Sequence, residues 1–184
     1  MEQGKGVDVI YTDFSKAFDT VETGVLLHDL KECGIMGKVG CWLASFLDPR
    51  NRKQAMAVDG RVSPLTPVMS GVPQGTVLGQ ILFLVHIRNI SKSLSEGTSA
   101  TSFADDTRVQ RSVKYENDCS DLQDDQNLIY QWAAQVNMRF NSEKFECLRF
   151  WADHEDGPPV QYLAPNNTNI EVKSDLRDLG GESL

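Results

Sequence analysis

The chain lacks the marks of several large protein classes. No apolar run nears the ~20 residues of a membrane span, and the longest, ILFLVHI at 81–87, stops far short. The opening MEQGKGVDVI has no basic stretch leading into an apolar one, so no secretory signal is read and an intracellular location is expected. Four cysteines (Cys33, Cys41, Cys119, Cys147) lie far apart with no C-x-x-C pair, which excludes a disulfide scaffold and predicts reduced, mostly buried thiols. Three scattered histidines (His28, His86, His154) argue against a zinc site. Positive charge is also scarce: 18 Lys and Arg face 26 Asp and Glu, a formal net charge of −8. Binding nucleic acid without regard to sequence relies on cations that neutralise phosphates. Bulk charge therefore speaks against such a partner, unless basic parts lie elsewhere or a bound cation reverses the local field.

What is present is an ordinary globular composition, 40% hydrophobic and 24% charged over 184 residues, enough for one domain with a real core. VDVIYTDF at 7–14 reads as a buried strand. From Thr23, Leu26, Leu27, Leu30 and Cys33 recur at helical spacing, and Gly34 marks the stop. A short helix is predicted over 39–47, carrying Trp42, Leu43 and Phe46. A hairpin then turns at Asp59-Gly60. The Gly/Pro loop of SGVPQG leads into an apolar helix over about 76–94. ATSFADDTRVQRSV reads as strand, tight turn, strand. An amphipathic helix follows, with Leu122, Ile129, Trp132, Ala133 and Val136 on one stripe. FECLRFWA at 145–152 is a further strand, and beyond Asp153 the chain is polar with only short strand candidates. With the 53–67 hairpin set aside, the order is the β-α-β-β-α-β plan of the split motif, an α+β fold.

That plan places Asp13, at the end of the first strand, beside Asp105 and Asp106 at the tip of the central hairpin. An isolated Asp-Asp is most often a solvated turn. Three carboxylates at one spot repel each other unless a cation binds. Mg²⁺ takes carboxylate oxygens together with substrate phosphates, and a pair of such ions clamps both oxygens of a phosphoryl displacement.

Four ordered blocks resemble the reverse transcriptase domain of non-LTR retrotransposons, of jockey-like type. They are YTDFSKAFDTV (11–21), SGVPQGTVLGQILFLVHIRNI (70–90), SFADDTRV (102–109) and MRFNSEKFECLRF (138–150); DLRDLGG (175–181) resembles the start of the element beyond. One block alone is weak evidence, whereas four in order across nearly the whole chain are specific. The resemblance implies a polymerase palm, an antiparallel sheet with helices on one face, over residues 1–152. Residues 153–184 would form a polar segment leading toward a thumb. Fingers, thumb and endonuclease would be absent.

By the same resemblance, Asp13 and Asp105 would be the shared metal ligands, Asp106 the neighbouring carboxylate, and the carbonyl of Phe14 part of one ion's shell. The cofactor would be two Mg²⁺ ions, with Mn²⁺ as a substitute. Lys144 would donate a proton to pyrophosphate. Phe18 would lie beneath the incoming sugar and exclude a 2′-hydroxyl, and Gln74 and Gly75 would contact the nucleotide. Asp19 reads instead as a turn or helix-start residue. Lys16 and Arg108 flank the aspartates and are expected to pair with them. The implied activity is RNA-directed DNA polymerisation, with an RNA template, a DNA primer and deoxynucleoside triphosphates as partners, no membrane, and a nuclear and cytoplasmic location.

The chain departs from the family pattern at Glu22-Thr23, where proline and histidine are usual, and at Gln80, where proline is. It departs again at His86–Asn89, Phe145 and Gly181. No departure removes a metal ligand, but together they resemble drift. A catalytically silent, truncated remnant is therefore the alternative to an enzyme. A two-metal nuclease would need neither GVPQG nor Phe18.

Overall fold

Residues 6–103, 106–151 and 157–173 of a computed structural model define the architecture. β-branched and aromatic residues put Gly6–Asp13 into strand β1. A single helical turn α1 (Ala17–Thr20) precedes helices α2 (Thr23–Glu32) and α3 (Gly37–Leu47). Four two-residue strands follow: β2 (Lys53–Gln54), β3 (Ala57–Val58), β4 (Arg61–Val62) and β5 (Thr66–Pro67). Helix α4 (Val77–Ile87) runs into a 3₁₀ turn (Arg88–Ser91), then strands β6 (Thr98–Phe103) and β7 (Asp106–Val113) and helix α5 (Glu116–Gln135). A 3₁₀ turn (Ser142–Lys144) leads to β8 (Glu146–Phe150), β9 (Tyr162–Leu163), β10 (Asn169–Ile170) and β11 (Val172–Lys173). The described residues form two compact units, one drawn from within 1–15, 90–133 and 140–184, the other from within 16–89 and 134–139.

The first unit is built on a five-stranded sheet ordered β11-β8-β1-β7-β6. Each neighbouring pair among β8, β1, β7 and β6 is antiparallel, in the strand order of the split motif that the sequence predicts. β11 adds to the edge, parallel to β8. Ile10 stands opposite Val109 on one side and Cys147 on the other, and all three are fully buried. The same face carries Arg111, whose Nη2 donates to Asp121 Oδ2 of α5 at 2.6 Å, so α5 lies across it. Because side chains alternate, a one-residue slip would turn this apolar set to the opposite face.

Asp8 lies on the covered face with no exposure, a position that demands full compensation. Arg149 Nε and Nη2 donate to its two oxygens at 2.8 and 2.6 Å, and the Tyr162 hydroxyl donates to Oδ2 at 2.7 Å. Arg149 Nη1 also donates to the Pro158 carbonyl at 2.7 Å, so the network fastens the 158–162 segment to the sheet. The Asp8 hydrogen bonds raise the pKa of Arg149, and burial, followed by the Asp8 charge, raises that of the Tyr162 hydroxyl.

The second unit holds α2, α3, α4 and the hairpin. The turn at Asp59-Gly60 forms as predicted, with φ of 49° and 76° at the two central residues, the pattern of a type I′ turn. The apolar helix is shorter than the predicted 76–94. It ends at Ile87, where the chain tightens into 3₁₀ and the Asn89 amide turns to donate to Asp29 Oδ1 at 2.9 Å. Asp29 is buried and also meets His86 Nδ1 at 2.8 Å. The expectation of mostly buried cysteines is corrected here: Cys119 and Cys147 are buried, while Cys33 and Cys41 are exposed. α3 buries only Leu43 and Leu47, and Cys41, two residues before Leu43, falls on the opposite side of the helix.

Candidate functional site

In the first unit, β1 ends at Asp13, in register with Asp106 at the start of β7. Directly opposed residues of an antiparallel pair share a face, with Cα atoms about 5 Å apart. The last acid of the first strand and the acid that opens the second arm of the central hairpin are thus neighbours. Asp105 lies outside the described residues. One position back, on the opposite face, Thr12 Oγ1 donates to the Thr107 carbonyl at 3.0 Å, and the Ser102 and Thr107 hydroxyls bond at 2.9 Å. These bonds hold the strand ends together beneath the acids. Asp13 is only 9% exposed, whereas Asp106 is open to solvent.

Lys144 Nζ stands 2.7 Å from Asp13 Oδ2. Its turn is anchored locally. The Asn141 backbone N–H donates to the Asp13 carbonyl at 2.8 Å, and Asn141 Oδ1 accepts from the Glu143 N–H at 3.3 Å. With Lys144 61% exposed, its ion pair with Asp13 contributes no more than about 1 kcal/mol. Phe14 is buried, bridges to Phe140 and stacks on its ring at 4.3 Å, which fixes the backbone just past Asp13. Arg108 is exposed on the same face as Asp106, and Lys16 takes a left-handed conformation (φ 53°). Neither makes the expected ion pair with a described residue. Two carboxylates at abutting strand ends, flanked by a lysine, are the oxygen donor chemistry that a hard divalent cation takes, so the residues present fit one.

In the second unit, the Phe18 ring is half-buried and stacks on Phe83 at 4.5 Å and 19°. The 70–76 loop is pinned against the 18–21 segment. Gly71 N donates to the Val21 carbonyl and Val72 N to the Phe18 carbonyl, both at 2.7 Å, and Ser70 Oγ donates to the Asp19 carbonyl at 2.8 Å. Gly71 has φ +86°, and a Cβ there would meet the Phe18 carbonyl oxygen at 2.6 Å, so no other residue fits this approach. Gly75, at φ +72°, faces open space instead. Thr76 caps α4 by accepting from the Gly79 N–H at 3.0 Å. Gln74 Nε2 donates to Asp19 Oδ1 at 2.7 Å. A cleft of about 680 Å³ opens here, lined by Asp19, Arg52, Lys53, Ser70 and Gln74 among others. Arg52 carries no sequence motif, yet its Nη1 donates to the Gly71 carbonyl at 2.7 Å and steadies the loop from the hairpin side. His28, Asp29 and Glu32 on α2 also approach one another, but His86 and Asn89 engage both Asp29 oxygens and Arg88 engages Glu32.

The family model described as reverse transcriptase (RNA-dependent DNA polymerase) matches residues 2–168. This chain belongs to the reverse transcriptase family. The RNA-directed DNA polymerase from mobile element jockey of Drosophila melanogaster is 32% identical over 147 residues, 76% of this chain and 16% of the relative. The probable RNA-directed DNA polymerase from transposon X-element of the same fly is 30% identical over 155 residues, 82% and 17% of the two chains. This reverse transcriptase domain is thus of the non-LTR retrotransposon kind and spans about a sixth of those relatives. Apo telomerase from Candida tropicalis, truncated from its C-terminal domain, superposes with a TM-score of 0.57 at 14% identity, covering 82% of this chain and 32% of that one. The likeness establishes the fold, the α+β polymerase palm. Among the described residues, no helix of this reverse transcriptase is long and apolar enough to cross a membrane.

Proposed function

We propose that the chain is the palm of an RNA-directed DNA polymerase, in which Asp13, Asp105 and Asp106, with the Phe14 carbonyl, hold two Mg²⁺ ions. The single observation that carries this reading is the register of Asp13 against Asp106, with Lys144 on the Asp13 carboxylate. Bound there, the metal pair would supply Lewis-acid activation of a primer 3′-hydroxyl and neutralise charge on the departing pyrophosphate. The protein's own groups supply the rest. Lys144, half-exposed and charged, releases Asp13 and donates a proton to the pyrophosphate. Phe18, backed by Phe83, presents a rigid ring against a ribose 2′-hydroxyl and so favours deoxynucleotides. Gln74 and Gly75 contact the nucleotide from the pinned loop. RNA template and DNA primer are the partners of this reading, and the acidic palm relies on metal and on basic regions of a longer polypeptide for their phosphates.

The test is primer extension by the purified chain on an RNA template with deoxynucleoside triphosphates and Mg²⁺ or Mn²⁺, alongside Asp106→Asn and Asp105→Asn. Extension lost in both variants supports the reading. Absence of extension, together with no metal-dependent rise in melting temperature in the unsubstituted chain, supports the silent remnant.

A further inference from the structure

We propose that Asp19 is a positioning residue for Gln74: its carboxylate fixes which end of the Gln74 amide faces the cleft. The proposal rests on the reading of Gln74 as a nucleotide-contacting residue. A glutamine amide has a donating and an accepting end of almost equal shape, and an unrestrained side chain presents either. A carboxylate can only accept. With Asp19 Oδ1 at 2.7 Å from Gln74 Nε2, the nitrogen end is committed to Asp19, and Oε1 remains as the acceptor offered to a ligand. The ligand group it suits is a donor, the sugar hydroxyl of a nucleotide.

The bond is not needed to hold the loop. Gly71 N, Val72 N and Ser70 Oγ already tie the loop to the 18–21 segment, and Arg52 holds the Gly71 carbonyl from the other direction. None of these four bonds uses the Asp19 carboxylate. They fix the backbone at both ends of the pair, so what the carboxylate adds is amide orientation. Asparagine at position 19 keeps size and shape but offers a donor as well as an acceptor, which frees the Gln74 amide to turn over.

The experiment measures binding of a deoxynucleoside triphosphate with Mg²⁺ to the whole chain, together with the ¹H–¹⁵N signal of the Gln74 side-chain amide, assigned by its loss in Gln74→Ala. Asp19→Asn should weaken binding about tenfold, as expected for one charge-assisted hydrogen bond acting through its partner. Gln74→Ala should weaken it similarly, and the double variant should be no weaker than Gln74→Ala alone. Asp19→Glu, which keeps the charge, should recover part of the loss. The Asp19→Asn melting temperature should stay within about 2 °C of the parent. Additive losses in the double variant, or a Gln74 amide signal unmoved by Asp19→Asn, overturn the proposal. If the parent chain binds no nucleotide, the reading of the loop fails separately. The amide signal then decides the Asp19 proposal alone, a shift sustaining it and no shift overturning it.

Discussion

In the sheet unit, Asp8 and Arg149 are sealed among Tyr162, Cys119 and the strand residues Ile10, Val109 and Cys147. In the helical unit, Val39, Trp42 and Phe46 stand out in solvent along α3, and Met56, Val58, Val62 and Leu65 do the same along the hairpin. Among the described residues, all but two of the large apolar side chains left exposed, Tyr115 and Leu128 being the exceptions, belong to the helical unit. One unit closes over charge, and the other leaves oil outside. The difference separates two kinds of contribution. Burial in the sheet unit is specific and linked, so single changes there should be costly. Much of the apolar surface of the helical unit contributes little to its own fold, so changes there should be nearly neutral.

The largest effect is expected at Arg149. Arg149→Met removes the one counter-charge on Asp8 among the described residues and leaves a buried carboxylate held by the Tyr162 hydroxyl alone of its two side-chain partners described above, a loss of about 3–5 kcal/mol. Tyr162→Phe removes one hydrogen bond to the same oxygen and should cost about 1–3 kcal/mol. Urea denaturation of the two variants against the parent checks both values. An Arg149→Met chain as stable as the parent would mean that the charge is not sealed, and the comparison would break.

Asp29 is the nearest counterpart in the helical unit. Asp29→Ala strips His86 Nδ1 and the Asn89 amide of one shared acceptor, at a cost of about 1–3 kcal/mol. That should fall below the Arg149→Met loss in the same denaturation series. On the exposed side of the same unit, Trp42→Ser should change stability by no more than about 0.5 kcal/mol, because the indole is 55% exposed and its stacking partner Phe46, at 5.4 Å, is itself exposed.

The order of the sheet was legible because strand signals, a tight turn and two helical stretches leave few ways to connect them. The nearness of Asp13 and Asp106 follows from that order together with the family motif. The Asp8–Arg149 pair was not legible: its members lie 141 residues apart, and an aspartate in an apolar strand carries no mark of its partner. Asp29 and His86 are hidden in the same way, since each fits its helix without reference to the other. Asp19 has the local signature of a turn residue, and only the folded loop brings Gln74 to it. Arg52 reads as one more cation in a hairpin, until the Gly71 carbonyl is seen at its tip. Local pattern specifies elements and their order; polar pairs closed by tertiary contact are specified only once the chain has folded.

The smallest perturbation is also the sharpest probe of the comparison, because the cysteines divide evenly between the units. Cys33 and Cys41 are exposed in the helical unit, and Cys119 and Cys147 are buried in the sheet unit. Burial pushes both buried thiols above the usual cysteine range, so at pH 8 they hold less of the reactive thiolate and are also shielded from reagent. Brief treatment with iodoacetamide should therefore alkylate Cys33 and Cys41 in the native chain, and Cys119 and Cys147 only after denaturant is added, as read by peptide mass spectrometry. Stability should not change on labelling the exposed pair. In Arg149→Met, opening of the sheet unit should bring Cys119 and Cys147 into reaction at lower urea than in the parent, while the rates at Cys33 and Cys41 stay where they were. Native labelling of Cys147 as fast as Cys41 would show that the sheet unit opens as readily as the helical surface, and the contrast between them would be lost.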